Sequence, residues 1–187
     1  MSKIRNKILA LFAALVLTAS AATAAPASVE AREEGRAKLL EKIRKELVTL
    51  PYYGVFDNLA YSFDGSTVTL YGQVVRPTTR RDAERRVARL AGVERVVNNI
   101  EVLPLSSFDD SIRARTYRAL FGWDSPLFRY GRGVNPSLHI IVNGGHVTLE
   151  GVVSTEGDRR LAYLRAMGVP GVFSVTNNLR LERGEAR

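Results

Sequence analysis

Apolar and polar residues alternate in two short stretches of the chain, and the same alternation returns 79 residues later, with Leu138 in the place of Leu59. In the first stretch Leu59, Tyr61 and Phe63 lie on one face, Asp64-Gly65-Ser66 interrupts, and Val68, Leu70, Gly72 and Val74 return to that face. A period of two on both sides of a polar, glycine-containing turn predicts a β-hairpin. The second stretch repeats it with Leu138, Ile140 and Val142, an Asn143-Gly144-Gly145 turn, then Val147, Leu149, Gly151 and Val153. After each hairpin the period lengthens. Ala83, Val87 and Leu90 are spaced four and three apart, as are Ala162, Ala166 and Val169, which marks the buried stripe of a helix. Thr79 with Asp82 and Thr155 with Asp158 read as helix starts. Gly92 and Gly171 read as stops. Val93 to Val102 and Val172 to Leu181 are predicted strands. A helix also precedes each hairpin. Arg36 to Val48 carries Leu39 or Leu40, Ile43 and Leu47 on one stripe; Asp109 to Phe121 carries Ile112, Ala119 and Leu120 behind an acidic first turn.

Between Leu59 and Val102, 16 of 44 positions are identical to their counterparts in the second copy. Chance does not give this without a gap, so the chain contains a duplication. The expected fold is α+β: two tandem α-β-β-α-β modules, each a small three-stranded mixed sheet packed against helices. The expected divisions are a signal peptide over 1–24, a polar linker over 25–35, module 1 over 36–104, module 2 over 107–182 and a tail over 183–187. A module of roughly 70 residues is marginal alone, and the short linker predicts that the two touch.

The first residues set the compartment. Lys3, Arg5 and Lys7 precede an apolar run from Ile8 to Leu17, and Ala22-Thr23-Ala24 fits a cleavage site, so cleavage after Ala24 and release into the periplasm are expected. The alternative is an uncleaved anchor, for which the run is short. With no cysteine, disulfides, thiol catalysis, thiolate metal sites and an N-terminal lipid anchor are excluded. Three of the cations behind the net charge of +8 leave with the signal. The remaining positive balance suits anionic membrane surfaces or acidic partners, and nucleic acid less, since an exported protein rarely meets it.

The VTLYGQV and VTLEGVV strands, the helices after them, and the GVERVVNNIEV and GVFSVTNNLRL endings resemble the BON family of bacterial envelope domains. The resemblance covers nearly all of the chain beyond the signal. It implies a non-catalytic fold that binds phospholipid membranes or envelope proteins, with roles in envelope integrity under stress or chaperone-like roles in the periplasm. Some members are lipoproteins; without cysteine this chain departs from them.

Catalysis finds little support. His139 sits on the non-core face of its strand and His146 follows the turn; neither has a partner at triad or ligand spacing, and neither recurs in the first copy. No cofactor-binding motif or small-molecule substrate site is read. One asparagine of each pair, Asn98-Asn99 and Asn177-Asn178, is expected to bond backbone near the core. Gly72 and Gly151 are expected to admit a packed helix. Two regions are candidates for binding. One is Gly122 to Gly133, where Trp123, Phe128 and Tyr130 accompany Arg129 and Arg132; it suits a membrane interface or plugs a core. The other is the last helix, where Arg160, Tyr163, Leu164 and Met167 replace Arg81, Glu84, Arg85 and Ala88 of the first copy. That face either dips into an anionic bilayer, docks an envelope protein, or packs between the modules.

Overall fold

The computed structural model describes residues 26–133 and 135–182, and of residues 26–28 the backbone alone. The signal segment, the cleavage site and the tail from residue 183 lie outside the described residues. The chain divides into two units, one ending at Gly35 and one starting at Arg36. The first helix, α1, runs Pro26–Val48. The stretch expected to be a polar linker is therefore helical from Pro26. Proline is tolerated in a first helical turn, and the Ala, Glu and Arg residues that follow favour helix even where exposed.

From Arg36 on, the α-β-β-α-β pattern appears twice. Module 1 continues with β1 (Asn58–Asp64), β2 (Thr67–Val74), α2 (Pro77–Val87) and β3 (Arg95–Val102). Module 2 has α3 (Ser107–Phe121), a 3-10 segment at Pro126–Gly131, β4 (Leu138–Asn143), β5 (His146–Val153), α4 (Glu156–Met167), β6 (Ser174–Asn177) and β7 (Arg180–Leu181). In each sheet the hairpin is antiparallel and the last strand joins the second hairpin strand in parallel, giving the orders β1-β2-β3 and β4-β5-β6. The last strand of module 2 is broken: β6 ends opposite Leu149, and β7 resumes opposite Val152.

The alternating residues meet the helices as their spacing requires. Ile43, Leu47, Val68, Leu70, Val74, Ala83, Val87 and Ile100 form the first core. Ile112, Leu120, Leu138, Ile140, Val147, Leu149, Ala162 and Ala166 build the second. Half-buried Asn98 donates to the Arg80 carbonyl (3.1 Å), and Asn177 donates to Arg159 (2.9 Å), so each ties a last strand to its helix. The helix starts differ between the copies. Thr155 caps α4, accepting from the Asp158 N–H at 3.0 Å. Its counterpart is Arg76, which caps α2 without a side-chain bond, ahead of Pro77. Thr79 lies inside α2, buried and with its hydroxyl unpartnered, so the cap expected there falls three residues too late.

Gly72 and Gly151 do not admit a helix. Both take positive φ, +114° and +118°. A Cβ there would collide with the carbonyl oxygen of Asn58 or Ser137, at the start of the neighbouring hairpin strand. The glycine serves close strand approach.

One loop joins the modules. Between α1 and β1, Tyr53 packs on the first core while Val55 and Phe56 pack on the second. The Val55 carbonyl accepts from the Ile140 N–H at 2.7 Å. Buried Asp57 holds the loop by accepting from the N–H groups of Val75 (2.7 Å) and Gly54 (3.1 Å). This loop also covers His139. The ring is on the non-core face of β4, as expected, but only 8% exposed, with Nδ1 3.2 Å from the Gly54 carbonyl oxygen and Tyr53 at 5.6 Å between ring centroids. Burial pulls the His139 pKa below its ordinary value, against opposing contributions from the Gly54 and Asp57 backbone and the Glu150 charge.

Two outcomes follow from this packing. Gly72→Ala or Gly151→Ala should cost about 2–4 kcal/mol, read as a lower urea midpoint. As pH falls below the ordinary histidine value of about 6.5, the unfolded chain binds the proton before the folded one, so the stability tied to a neutral His139 is lost on acidification. Wild type should therefore lose more urea resistance between neutral pH and about pH 5 than His139→Gln. Equal losses would show that His139 does not couple folding to pH. Burial raises Asp57, which has the opposite sign and is common to both proteins.

Candidate functional site

Helix α4 buries Ala162 and Ala166 and turns Arg160, Tyr163, Leu164 and Met167 away from the core, as a 3.6-residue period dictates. Tyr163 is 37% exposed, Leu164 55% and Met167 45%, and Arg160 is exposed beside them. These side chains do not fill the gap between the modules, which is the alternative the sequence leaves open. The face of β4 and the loop before β1 fill that gap. The duplicated face of module 1 carries charges, two of which are answered locally. Glu84 accepts from Asn98 Nδ2 at 2.9 Å, and Arg85 pairs with Asp82 at 2.5 Å.

Beyond Leu164 lies an open groove of about 500 Å³ between α3 and α4. Arg115, Arg118 and Arg165 reach it, and Arg165 donates to the Ala119 carbonyl at 3.0 Å. The sequence pattern assigns no role to Arg165, Arg115 or Arg118. The spacing of three between Arg115 and Arg118 on α3 is the only signal. The pattern also misses a surface pair of aromatic rings, Phe108 and Phe173, 5.9 Å apart beside the β4–β5 turn.

The Gly122 to Gly133 segment divides. Trp123 is 91% exposed, with the half-buried Phe128 ring 5.0 Å away and Arg132 over Phe128 at 5.2 Å. Leu127 and Tyr130 are buried in the second core. Tyr130 is thereby corrected as a surface-binding residue. Its hydroxyl donates to Asp158 (2.9 Å) and accepts from the Ser154 N–H (2.9 Å). Arg129 is exposed but donates to both the Tyr130 hydroxyl (2.7 Å) and Asp158 (2.9 Å). Asp158 also accepts from the Thr155 hydroxyl at 2.7 Å. Burial alone would raise the Asp158 carboxyl; the hydrogen bonds from Thr155 and Tyr130 and the Arg129 charge outweigh it and hold the pKa below the usual range. Arg129 and Tyr130 thus fasten the segment to the start of α4.

Neither histidine joins a catalytic constellation. His139 is enclosed by module 1, and His146 is exposed, with Nδ1 2.8 Å from Ser174 Oγ. Among the described residues no three His, Asp or Glu side chains are grouped to hold a metal ion.

The model of the BON domain matches residues 36–104 and again residues 109–183. This chain belongs to the BON family. Both matches fall on α-β-β-α-β units, so the BON protein is a tandem of two BON domains. The family is generally non-catalytic, and it points to a membrane- or periplasm-associated role. Among the solved structures similar to the chain are two of CdsD, a structural protein of the type III secretion system of Chlamydia trachomatis. One is 11% identical at a TM-score of 0.30, covering 78% of this chain and 92% of its own. The other, the CdsD C-terminal domain, is 12% identical at 0.28, covering 77% and 97%. No curated protein matches the chain.

The Asp158 network gives a direct test of what holds the second BON domain's distinctive segment. Tyr130→Phe should cost about 1–2 kcal/mol and Asp158→Ala about 2–4 kcal/mol in urea unfolding. The Asp158 contribution is present above the unfolded carboxylate value of about 3.9 and is lost as pH falls below it. Wild type should therefore lose its advantage over Asp158→Asn in acid.

Proposed function

We propose that this BON protein is exported to the periplasm and there binds anionic phospholipid surfaces without catalysis, supporting envelope integrity under stress. The observation that carries the reading is the contrast between duplicates. The first domain's α2 face is polar, with Arg85 paired to Asp82 and Glu84 bonded to Asn98, whereas the same face of the second domain exposes Tyr163, Leu164 and Met167 beside Arg160. Among the described residues Arg160, Arg115, Arg118 and Arg165 have no carboxylate within 4 Å. Exposed apolar side chains ringed by unpaired cations match a surface of acyl chains under anionic headgroups. Exposed Trp123, with Phe128 and Arg132, is a second contact of the same chemistry. Among the described residues no helix is long and apolar enough to cross a membrane.

A periplasmic chaperone or adaptor role would need a free sheet edge or an apolar patch. Part of the β4 edge is already occupied, with Val55 on the Ile140 N–H and Arg113 on the Val142 carbonyl, each at 2.7 Å. The apolar patch serves either role, so the decisive measurement is vesicle binding.

Inserting Tyr163 and Leu164 contributes about 2–5 kcal/mol before ordering costs. The double variant Tyr163→Glu, Leu164→Glu should weaken co-sedimentation with phosphatidylglycerol vesicles by at least about tenfold and leave the melting temperature unchanged. Trp123→Ala should weaken it less. Wild-type binding by the double variant would sink this assignment, and suppression of client aggregation without any vesicle binding would favour the adaptor.

A further inference from the structure

We propose that the groove between α3 and α4 is a site for a phosphate monoester carried by a membrane lipid, with Arg115, Arg118 and Arg165 as its ligands. This rests on the membrane reading above and gives it a headgroup specificity.

Three arginines line one groove together with Leu164, Val169 and Pro170, and no acidic side chain lines it. Arg165 is held in place by its bond to the Ala119 carbonyl, which engages one terminal nitrogen and leaves the rest of the fork. Arg115 is half-buried and its Nε is enclosed without a partner, while its Nη2 passes beside Gly171. Like charges gathered in one place repel, and a donor shut away from water without an acceptor is costly. An arrangement that is unfavourable when empty is offset by an anion bound in it.

The duplicate provides the internal control. The counterpart of Arg165 is Arg86, which pairs with Glu46 on α1 at 3.3 Å and reaches the Thr49 hydroxyl at 3.5 Å. The first domain supplies its own carboxylate at this place; the second supplies two further arginines.

The number of guanidinium groups selects the anion. A phosphodiester headgroup carries one charge and two free oxygens. A monoester carries about −1.5 to −2 at neutral pH and three strong acceptor oxygens, which arginine forks bind in pairs. Leu164 lines the groove and also belongs to the exposed apolar face of α4, so a lipid held by its phosphate lies with its chains toward Tyr163 and Met167.

The experiment is co-sedimentation of the full chain with phosphatidylcholine vesicles containing either phosphatidic acid or phosphatidylglycerol at matched surface charge. The expected result is about tenfold tighter binding to the monoester vesicles at pH 7.5, a preference that fades as pH falls through the second phosphate pKa of about 6. Arg115→Gln with Arg165→Gln should abolish the preference, Arg165→Lys should reduce it while keeping the charge, and Arg86→Gln should leave it intact. Melting temperatures report whether each variant folds. Equal binding of wild type to the two vesicles at matched charge overturns the groove assignment and leaves the membrane reading standing. Absence of binding to both overturns the two together. Binding of soluble glycerol 3-phosphate as tight as that of the vesicles would make the ligand a free phosphate and overturn the lipid assignment.

Discussion

The loop from Leu50 to Asp57 contributes to both hydrophobic cores at once. It gives Tyr53 to the first and Val55 and Phe56 to the second, while Asp57 draws it tight on the N–H groups of Gly54 and Val75. A unit of roughly 70 residues buries too small a share of its surface to be robust alone. Sharing a loop relieves that limit. The bond from Ile140 to Val55 also covers part of a strand edge that would otherwise stand open to other chains.

The position of the exposed chemistry follows from this docking. Both faces of β4 are buried, one on its own helices and one under the loop and His139's neighbours, so the second sheet has little left to offer a partner from that strand. Surface variation between the two copies is therefore found on the helices. In the first copy α2 turns inward on its own charges, Asp82 with Arg85 and Glu84 with Asn98. In the second, α4 carries Leu161, Tyr163 and Leu164 in the places of Asp82, Glu84 and Arg85. Arg159 pairs with Glu156 at its start, while Arg165 is answered by a backbone carbonyl and not by a carboxylate.

The two strand glycines show how a repeated residue can be read correctly as structural and wrongly in detail. Gly72 and Gly151 recur at one position in both copies, and a structural role follows from that. Whether the crowding comes from a helix or a strand depends on the carbonyl groups of Asn58 and Ser137, which are 14 residues away along the chain in each copy and touch the glycine only across the sheet. The Asn98 and Asn177 side chains were more transparent. A polar residue on the half-buried side of a strand needs a backbone partner, and the preceding helix is the nearest source of one.

Periodicity by itself determined the two hairpins, the four long helices, the parallel last strands and the fact of duplication, because these depend on patterns a few residues long and on identity between copies. It also placed Arg160, Tyr163, Leu164 and Met167 on one helical face, since a period of 3.6 leaves them no other arrangement. Only the tertiary structure decided what that face meets. It put His139 under a loop more than eighty residues earlier in the chain, drew Tyr130 into the Asp158 network while Trp123 stayed outside, and brought Arg115 and Arg118 of α3 to Arg165 of α4. Each of these is a contact between segments that share no local pattern, so no window along the chain contains the information.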